Sequence, residues 1–369
     1  ERGVFGQWIH IYELNDDLVL SVLAALHQVF PSYQLFVVGR NDLLIVASNQ
    51  PHLPPADWSV VALPPIAADL MAFFPLTPES LEAMRSLDRT ALAPLLDTWG
   101  TANSDFWPTL DLGAEKARYM QTRAHGVVNL QERRFDPVAP FLGRRRGLSN
   151  TRDVPVFQQP RLSALALGAT LRAWRDDRTS LDLNSAAETS AALQRLWQWQ
   201  SGLAAGPPAD WRLWFRETWQ VEADLHGGTA GVADEVFYDA LHQYLDQQTP
   251  PAPVCAGVLF MEGLARWDFA AVARAADWLL PSAMENQPWV SVEPLREGSV
   301  VAKLRLGDTV GARHALTMLT GPGKHQAHDL PYRLLEAYLQ HPDALPEQPL
   351  PPSRVTWECP ARPGLQRQR

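Results

Sequence analysis

The residues of this sequence with the most potential for chemistry stand in short, isolated groups. His325 and His328 are three residues apart and would share one face of a helix, a spacing at which two imidazoles can bind a metal ion. A third ligand is not evident nearby, and Asp329 directly after them is typical of a helix cap. We therefore favour a solvent-exposed helix start here, and the sequence indicates no metal-binding residues.

Two glycine-rich stretches are weak candidates for phosphate binding. Residues 227–231 follow no predicted strand, and residues 321–324 lack the spacing and the final Ser or Thr of a P-loop. Asp16 and Asp17 are adjacent carboxylates, but they follow the N-cap candidate Asn15, where the helix dipole favours negative charge. The sequence thus predicts loops and a helix start, with neither catalytic residues nor a cofactor.

Composition limits the class of protein. The chain has 369 residues, of which 46% are hydrophobic and 20% charged, which is typical of a globular protein with two or three domains. A net charge of -9 argues against nucleic-acid binding, which needs a basic surface. There is no apolar run long enough to span a bilayer and no signal segment. We therefore expect a cytoplasmic or membrane-peripheral protein.

Two further features concern the cysteines and the first residues. Cys255 and Cys359 are far apart and belong to no CxxC pair, so the sequence indicates neither a disulfide framework nor a zinc site, and the pair fits a reducing compartment. The chain opens at Glu1 without a Met and enters a strand pattern directly. On that ground we expect a fragment or a processed product.

The first third of the chain has an α/β pattern. Residues 3–12 suit a strand, Asn15 begins a helix that ends at Pro31, and residues 33–38 and 43–47 suit a hairpin. This order is typical of the closing part of an α/β sheet. Short helices are then expected at 79–88, 90–98 and 113–123.

Helical patterns dominate the rest of the chain. The segment 131–160 is rich in Arg and Pro and is expected to be a linker, and residues 346–369 form a similar tail. Within 161–345, Leu264–Asp268 and Leu304–Asp308 open two similar helix patterns 40 residues apart. They suggest two copies of one helical hairpin, similar to a tetratricopeptide-type repeat, with an ordinary helical bundle as the equal alternative.

The first third also resembles the spermidine synthase-like family, in particular bacterial forms fused behind membrane-transporter helices. The matching pieces are Gly3-Val4-Phe5 with Gln7-Trp8, Val29-Phe30-Pro31, the strand 42–48 and the stretch 103–108. The resemblance implies a fold class of α/β plus α. A partial Rossmann-like, methyltransferase-like lobe at residues 1–130 would precede the all-helical, repeat-like domain.

The same resemblance bears on activity. Family members transfer an aminopropyl group from decarboxylated S-adenosylmethionine, and the resemblance implies that the donor site and the catalytic acid lie upstream of residue 1. The Tyr- and Pro-rich loop that grips the polyamine is replaced here by residues 39–42. Only Gln7 would remain as part of the substrate crevice.

Other side chains are candidates for protein contacts. Trp197 and Trp199 cannot both face one core, because residues two apart on a helix point to different sides. At least one is therefore expected at a surface or interface, where Trp is enriched. The full set of interaction candidates is Trp197, Trp199, Trp211, Trp214, Arg144, Arg145 and Arg146.

The sequence leads to two functional hypotheses. The first is a non-catalytic or degenerate module that acts as a scaffold and is associated with a membrane complex. The strand at 3–12 is expected in the middle of a sheet and therefore needs a neighbouring strand, which would come from a protein partner, either an upstream segment or another subunit. The alternative is the C-terminal portion of an aminopropyltransferase or related S-adenosylmethionine-site enzyme. A helical-repeat peptide receptor is a third possibility, with residues 255–340 as its working surface.

Overall fold

The protein is represented by a computed structural model that divides into two compact units. Unit 1 comprises residues 1–142, 153–163 and 323–346, and unit 2 comprises residues 143–152, 164–322 and 347–369. The residues that the structure describes are 3–39, 41–73, 81, 84–132, 136–143, 160–177, 187–227, 229, 231–283, 288–319, 330–345 and 355–359. The chain is mixed α/β and mostly helical.

Unit 1 carries the strands together with several helices. Its first elements, with helices numbered along the chain, are β1 (Val4–His10), α1 (Asp16–Val29), β2 (Ser32–Val38), β3 (Asp42–Ser48) and α2 (Pro64–Phe73). They are followed by β4 (Arg85–Asp88), α3 (Arg89–Leu96), α4 (Thr109–Tyr119), α5 (Gly126–Glu132), α6 (Ala139–Leu142) and α15 (Leu330–Gln340). The predicted order of strand, helix, strand, turn and strand is confirmed. The side chain of Asn15 caps α1 by accepting the Leu18 N–H at 3.0 Å.

The four strands form one antiparallel sheet in the order β1-β3-β2-β4. Parallel pairing, which a Rossmann-type sheet requires, does not occur among these described strands. Residues 85–88, expected in a helix, form β4 instead, because Arg85 and Asp88 pair with Phe36 and Gln34 of β2.

The position of β1 differs from the expectation of a central strand. Among the described residues, β1 pairs with β3 alone and lies at the edge of the sheet. Only three residues separate β2 from β3, so β3 returns beside β2 and pairs with β1 on its other side.

One helix of unit 1 comes from the end of the helical region. The sequence placed residues 330–340 with the helical domain, whereas α15 packs into the core of unit 1. The Tyr338 hydroxyl donates to the Ala91 carbonyl at 3.1 Å, and its ring lies 4.4 Å from that of Phe141. The apolar face of α15 fixes this position, since Leu330 and Leu334 are buried there.

Unit 2 is built from helices. They are α7 (Pro160–Asp176), whose first turn belongs to unit 1, α8 (Ala187–Leu203), α9 (Trp211–His226), α10 (Glu235–Asp246), α11 (Ala252–Arg266), α12 (Phe269–Leu279), α13 (Val292–Arg305) and α14 (Thr309–Leu319).

The similar sequences at Leu264–Asp268 and Leu304–Asp308 form helical hairpins with matching turns. Asp268 and Asp308 each donate a backbone N–H to a carbonyl five residues earlier, at 2.9 and 2.8 Å. Each carboxylate then accepts the N–H three residues later, from Ala271 and Gly311, at 3.0 and 2.8 Å. The residues before them, Trp267 and Gly307, both have positive φ. The same local chemistry therefore ends one helix and begins the next in both copies.

Neighbouring helices pack against each other where an aromatic ring of one helix lies over a glycine of the next. The ring of Phe215 on α9 occupies the space that a side chain at Gly257 on α11 would need. Phe260 on α11 does the same at Gly298 on α13, where a Cβ would lie 2.8 Å from the ring. The absence of a side chain at these two glycines leaves room for the two rings between the helices.

The expectation about the cysteines was wrong. Cys255 and Cys359 form a disulfide within unit 2, with their Cα atoms 5.7 Å apart. Their separation of 104 residues hid this pairing, because only the folded chain brings the segment around Cys359 onto the start of α11.

Candidate functional site

The exposed edge of the sheet in unit 1 is the first candidate site. Val4 and Trp8 of β1 are 54% and 53% exposed, which is unusual for large apolar side chains on a strand. Trp8 lies opposite Leu44 of β3, which in turn lies opposite Phe36 of β2. An apolar row thus crosses three strands and ends at the solvent-exposed indole of Trp8.

The stretch of β1 that can pair further has a defined end. The Ile11 N–H continues the pairing on the β3 side by donating to the Asn41 carbonyl at 2.8 Å, whereas the Ile11 carbonyl accepts from the Ala124 N–H of another segment at 2.9 Å. Tyr12 bridges to Arg123 directly after it. The edge is therefore occupied from Ile11 onward, and the seven residues of β1 form the open part.

Gln7, predicted as a remnant of a substrate crevice, lies in the middle of this edge strand. It is half-buried and lies opposite Ile45. Its side-chain amide donates to the Trp8 carbonyl at 2.9 Å. This contact covers one backbone acceptor of the strand, so Gln7 contributes to the edge site.

The predicted Trp set divides between core and surface. Trp199 is buried, donates to the Thr218 hydroxyl at 3.1 Å and stacks on Phe237 at 4.8 Å. Trp197, two residues earlier, is 51% exposed, as the helical spacing predicted.

Of the second pair, Trp214 is buried and stacks on Tyr244 at 5.4 Å, and Trp211 lies at its edge. Trp199 and Trp214 are therefore core residues of unit 2, which corrects the prediction that they take part in interactions. The candidates Arg144, Arg145 and Arg146 lie outside the described residues, as do residues 321–324, His325 and His328.

A buried charge network in unit 2 forms a second candidate site. His226, at the end of α9, is 5% exposed, and its Nδ1 lies 3.2 Å from Glu222 Oε1. Its Nε2 lies 3.5 Å from Asp234 Oδ2, which is too long for a good hydrogen bond, so their attraction is mainly coulombic. Asp234 also accepts a hydrogen bond from Arg175 at 2.8 Å. Residues 227–233 separate His226 from Asp234 along the chain.

The network shifts the pKa values of its members in opposite directions. Burial disfavours the imidazolium of His226, but the Asp234 and Glu222 carboxylates outweigh it and raise the His226 pKa above its ordinary value. Burial likewise opposes ionisation of Asp234, but His226 and Arg175 hold the Asp234 pKa well below its ordinary value. Both shifts favour the charged forms of the pair.

A cleft with a volume of about 770 Å³ opens beside this network. Asp234 lines it together with Arg175, and charges of both signs surround the opening. Its remaining lining residues are Ala169, Arg172, Ala173, Asp176, Asp177, Ala233, Glu235 and Val236. The lining holds four carboxylates and two guanidiniums, so its net charge is negative and does not favour a phosphate.

Sequence reasoning missed this network, since its members come from three different helices. Asp234 had a local signal, because it caps α10 by accepting the Phe237 N–H at 3.1 Å. Nothing in the sequence pairs Arg175 with His226. In the described part of the chain, no group of three or more His, Cys, Asp or Glu side chains is arranged so that it could hold a metal ion.

None of the helices in the described ranges is both long and apolar enough to cross a membrane. No protein-family model, curated protein or solved structure matches this chain.

Proposed function

We propose that this chain is a non-catalytic protein-interaction module, in which β1 accepts a β-strand from another subunit. The observation that carries the proposal is the position of β1 at the edge of the sheet, with Val4 and Trp8 half exposed. Natural proteins usually protect an edge strand with charges, prolines or bulges. β1 has no charged residue and no proline between Val4 and His10.

The chemistry of the edge specifies the kind of partner. Backbone N–H and C=O groups along a strand edge are satisfied by another strand, which adds to the sheet. The row from Phe36 through Leu44 to Trp8 favours apolar side chains on the same face of the added strand. We therefore propose an extended partner segment of about seven residues with apolar residues at alternate positions.

The resemblance to membrane-fused spermidine synthase-like proteins supports a particular setting. On that basis the partner would be a subunit of a membrane complex, and this chain would be its peripheral or cytoplasmic component. The degenerate loop at residues 39–42, where active members carry a polyamine-gripping loop, supports the non-catalytic assignment.

The test uses two tryptophans of nearly equal exposure on different units. A photo-crosslinking amino acid is placed at Trp8, and separately at Trp197, in the full chain expressed in its native host. We expect position 8 to crosslink to a strand-forming segment of another protein. In the purified complex, the amides of β1 should exchange hydrogen more slowly, and Trp8→Lys should abolish assembly whereas Trp197→Lys should not.

Three results would contradict this proposal. Crosslinks from position 8 only to a second copy of this chain would indicate self-association. Crosslinks from position 197 alone would indicate that the interface lies on α8 and not on β1. Unchanged hydrogen exchange in β1 within the complex would exclude strand addition.

A second candidate is the C-terminal portion of an aminopropyltransferase or related S-adenosylmethionine-site enzyme. The observation that favours it is again the open side of β1, because an upstream donor-binding half could continue the sheet from that side. In this case position 8 would crosslink within its own polypeptide. Calorimetry with methylthioadenosine then decides: micromolar binding supports the enzyme, and absence of binding to the crosslinked protein contradicts it.

A further inference from the structure

A short segment near the end of the chain lies extended on the helices of unit 2. Residues 355–359 have no helical or sheet structure, and their exposure alternates. Val355, Trp357 and Cys359 are half-buried, whereas Thr356 and Glu358 are exposed. This period of two means that every second side chain faces the helices, as in a bound extended peptide.

Each inward-facing residue of the segment contacts the helices. The backbone N–H of Val355 donates to Asp268 Oδ2 at 3.1 Å. The indole N–H of Trp357 donates to Asp246 Oδ1 at 2.9 Å. Cys359 is joined to Cys255 by the disulfide.

The Trp357 ring makes a further contact. It stacks on the His242 imidazole with the ring centres 4.7 Å apart and the planes 3° from parallel. The segment therefore crosses from the turn between α11 and α12, past α10, to the first turn of α11. We call the surface formed by Asp268, His242, Asp246 and Cys255 the tail groove.

The tail groove is held in shape by contacts within the helices. Asp268 caps α12 through the Ala271 N–H with its other carboxylate oxygen. His242 Nε2 lies 2.9 Å from Glu262 Oε2, and Glu262 is in turn bonded to Arg266 at 2.8 Å. None of these contacts uses residues 355–359, so the groove is preorganised and should persist when the segment leaves.

We propose that the tail groove is a peptide-binding site, that residues 355–359 are its internal ligand, and that reduction of Cys255–Cys359 opens it to a peptide of another protein. The peptide would be extended, with Trp two residues after an apolar residue, as in Val355-Thr-Trp357. This site lies in unit 2 and goes beyond the strand-accepting function proposed for β1.

The chemistry of opening is a thiol–disulfide exchange with a protein or small-molecule dithiol. The dithiol supplies two electrons and two protons, the bond between the sulfurs of Cys255 and Cys359 breaks, both become thiols, and the dithiol becomes a disulfide. Without the covalent bond, non-covalent contacts hold the segment, among them two hydrogen bonds and one ring stack. A ligand tethered in the same chain competes at an effective concentration on the order of millimolar, so a peptide in trans displaces it once its own concentration exceeds about that value.

The probe is a fluorescein-labelled synthetic peptide, Ser-Arg-Val-Thr-Trp-Glu-Ser, which copies residues 353–359 with Ser in place of Cys. Its binding is measured by anisotropy with the full chain in three forms: oxidised, reduced, and the double variant Trp357→Ala, Cys359→Ser. We expect at least about tenfold tighter binding to the reduced chain and to the double variant than to the oxidised chain. A probe with Ala in place of Trp should not bind.

A matched pair of substitutions on α10 tests the groove itself. In the double-variant background, Asp246→Ala removes the acceptor for the indole N–H and should weaken binding about tenfold. Asp239→Ala, at an exposed position of the same helix, should leave binding unchanged. Equal binding to oxidised and reduced chains, or no binding to either open form, would overturn the proposal. Hydrogen exchange of the unsubstituted chain is a further test. If the protection of residues 355–359 does not fall on reduction, the proposal is also overturned.

Discussion

Replacement of Asp234 by Asn is expected to destabilise unit 2 by about 3 kcal/mol, at the low end of the cost of breaking a buried ion pair. The side chains of Asp234 and Arg175 are 3% and 10% exposed and lie 2.8 Å apart, so water only partly screens the attraction that is lost. Asn keeps the α10 cap, because its side-chain oxygen can still accept the Phe237 N–H. Glu222 still pairs with His226 in the variant, which keeps the cost from reaching the upper end of the range.

The pH dependence of this loss provides a second, independent check. The Asp234 pKa is lowered on folding, so its stabilisation is present above its ordinary value of 3.8 and is lost as the pH falls towards the folded value. The His226 pKa is raised, so its stabilisation is complete below its ordinary value of 6.5 and is lost as the pH rises through the folded value. The difference between wild type and Asp234→Asn should therefore be largest between pH 3.8 and 6.5.

The assay is urea unfolding followed by hydrogen exchange and mass spectrometry, which reports peptides of α9 and α10 separately from unit 1. Asp210→Asn is the matched control, because Asp210 also caps a helix but is exposed, and its replacement should change stability little. The reasoning is refuted if Asp234→Asn costs no more than Asp210→Asn. It is also refuted if the cost is the same at about pH 5 and about pH 9.

Two further predictions concern packing in unit 2. Gly257→Ala should destabilise the protein by about 1–3 kcal/mol, because the added methyl group overlaps the Phe215 ring. Gly202→Ala, where the space is open, should stabilise it by about 0.5–1 kcal/mol through helix propensity. The two variants should therefore shift the thermal unfolding temperature in opposite directions, and shifts of equal sign would contradict this packing. Trp199→Phe should lower the free energy of unfolding by about 2 kcal/mol, because it removes the hydrogen bond to Thr218 and part of a buried ring. Urea unfolding measures this difference, and a value near zero would refute the core position of Trp199.

Local signals in the sequence predicted the elements of the first 48 residues and the two echoed hairpins. These signals are Asn15 before an apolar helical pattern and alternating apolar residues around a short turn. Each acts over a few residues and favours one local structure strongly. The same holds for Asp268 and Asp308, whose capping chemistry is complete within one turn. The spacing of Trp197 and Trp199 likewise predicted that one of them would be exposed.

The tertiary structure decided how those elements are joined and what they bring together. The sequence could not place β1 at the edge of the described sheet, because the choice of neighbour depends on which strand β3 reaches after the turn. Nor could it find the Cys255–Cys359 bond or the contacts of Asp234 with His226 and Arg175, whose members lie on separate elements. Such contacts form only when helices pack, since burial makes the pairing of charges necessary and the packing geometry selects the partner.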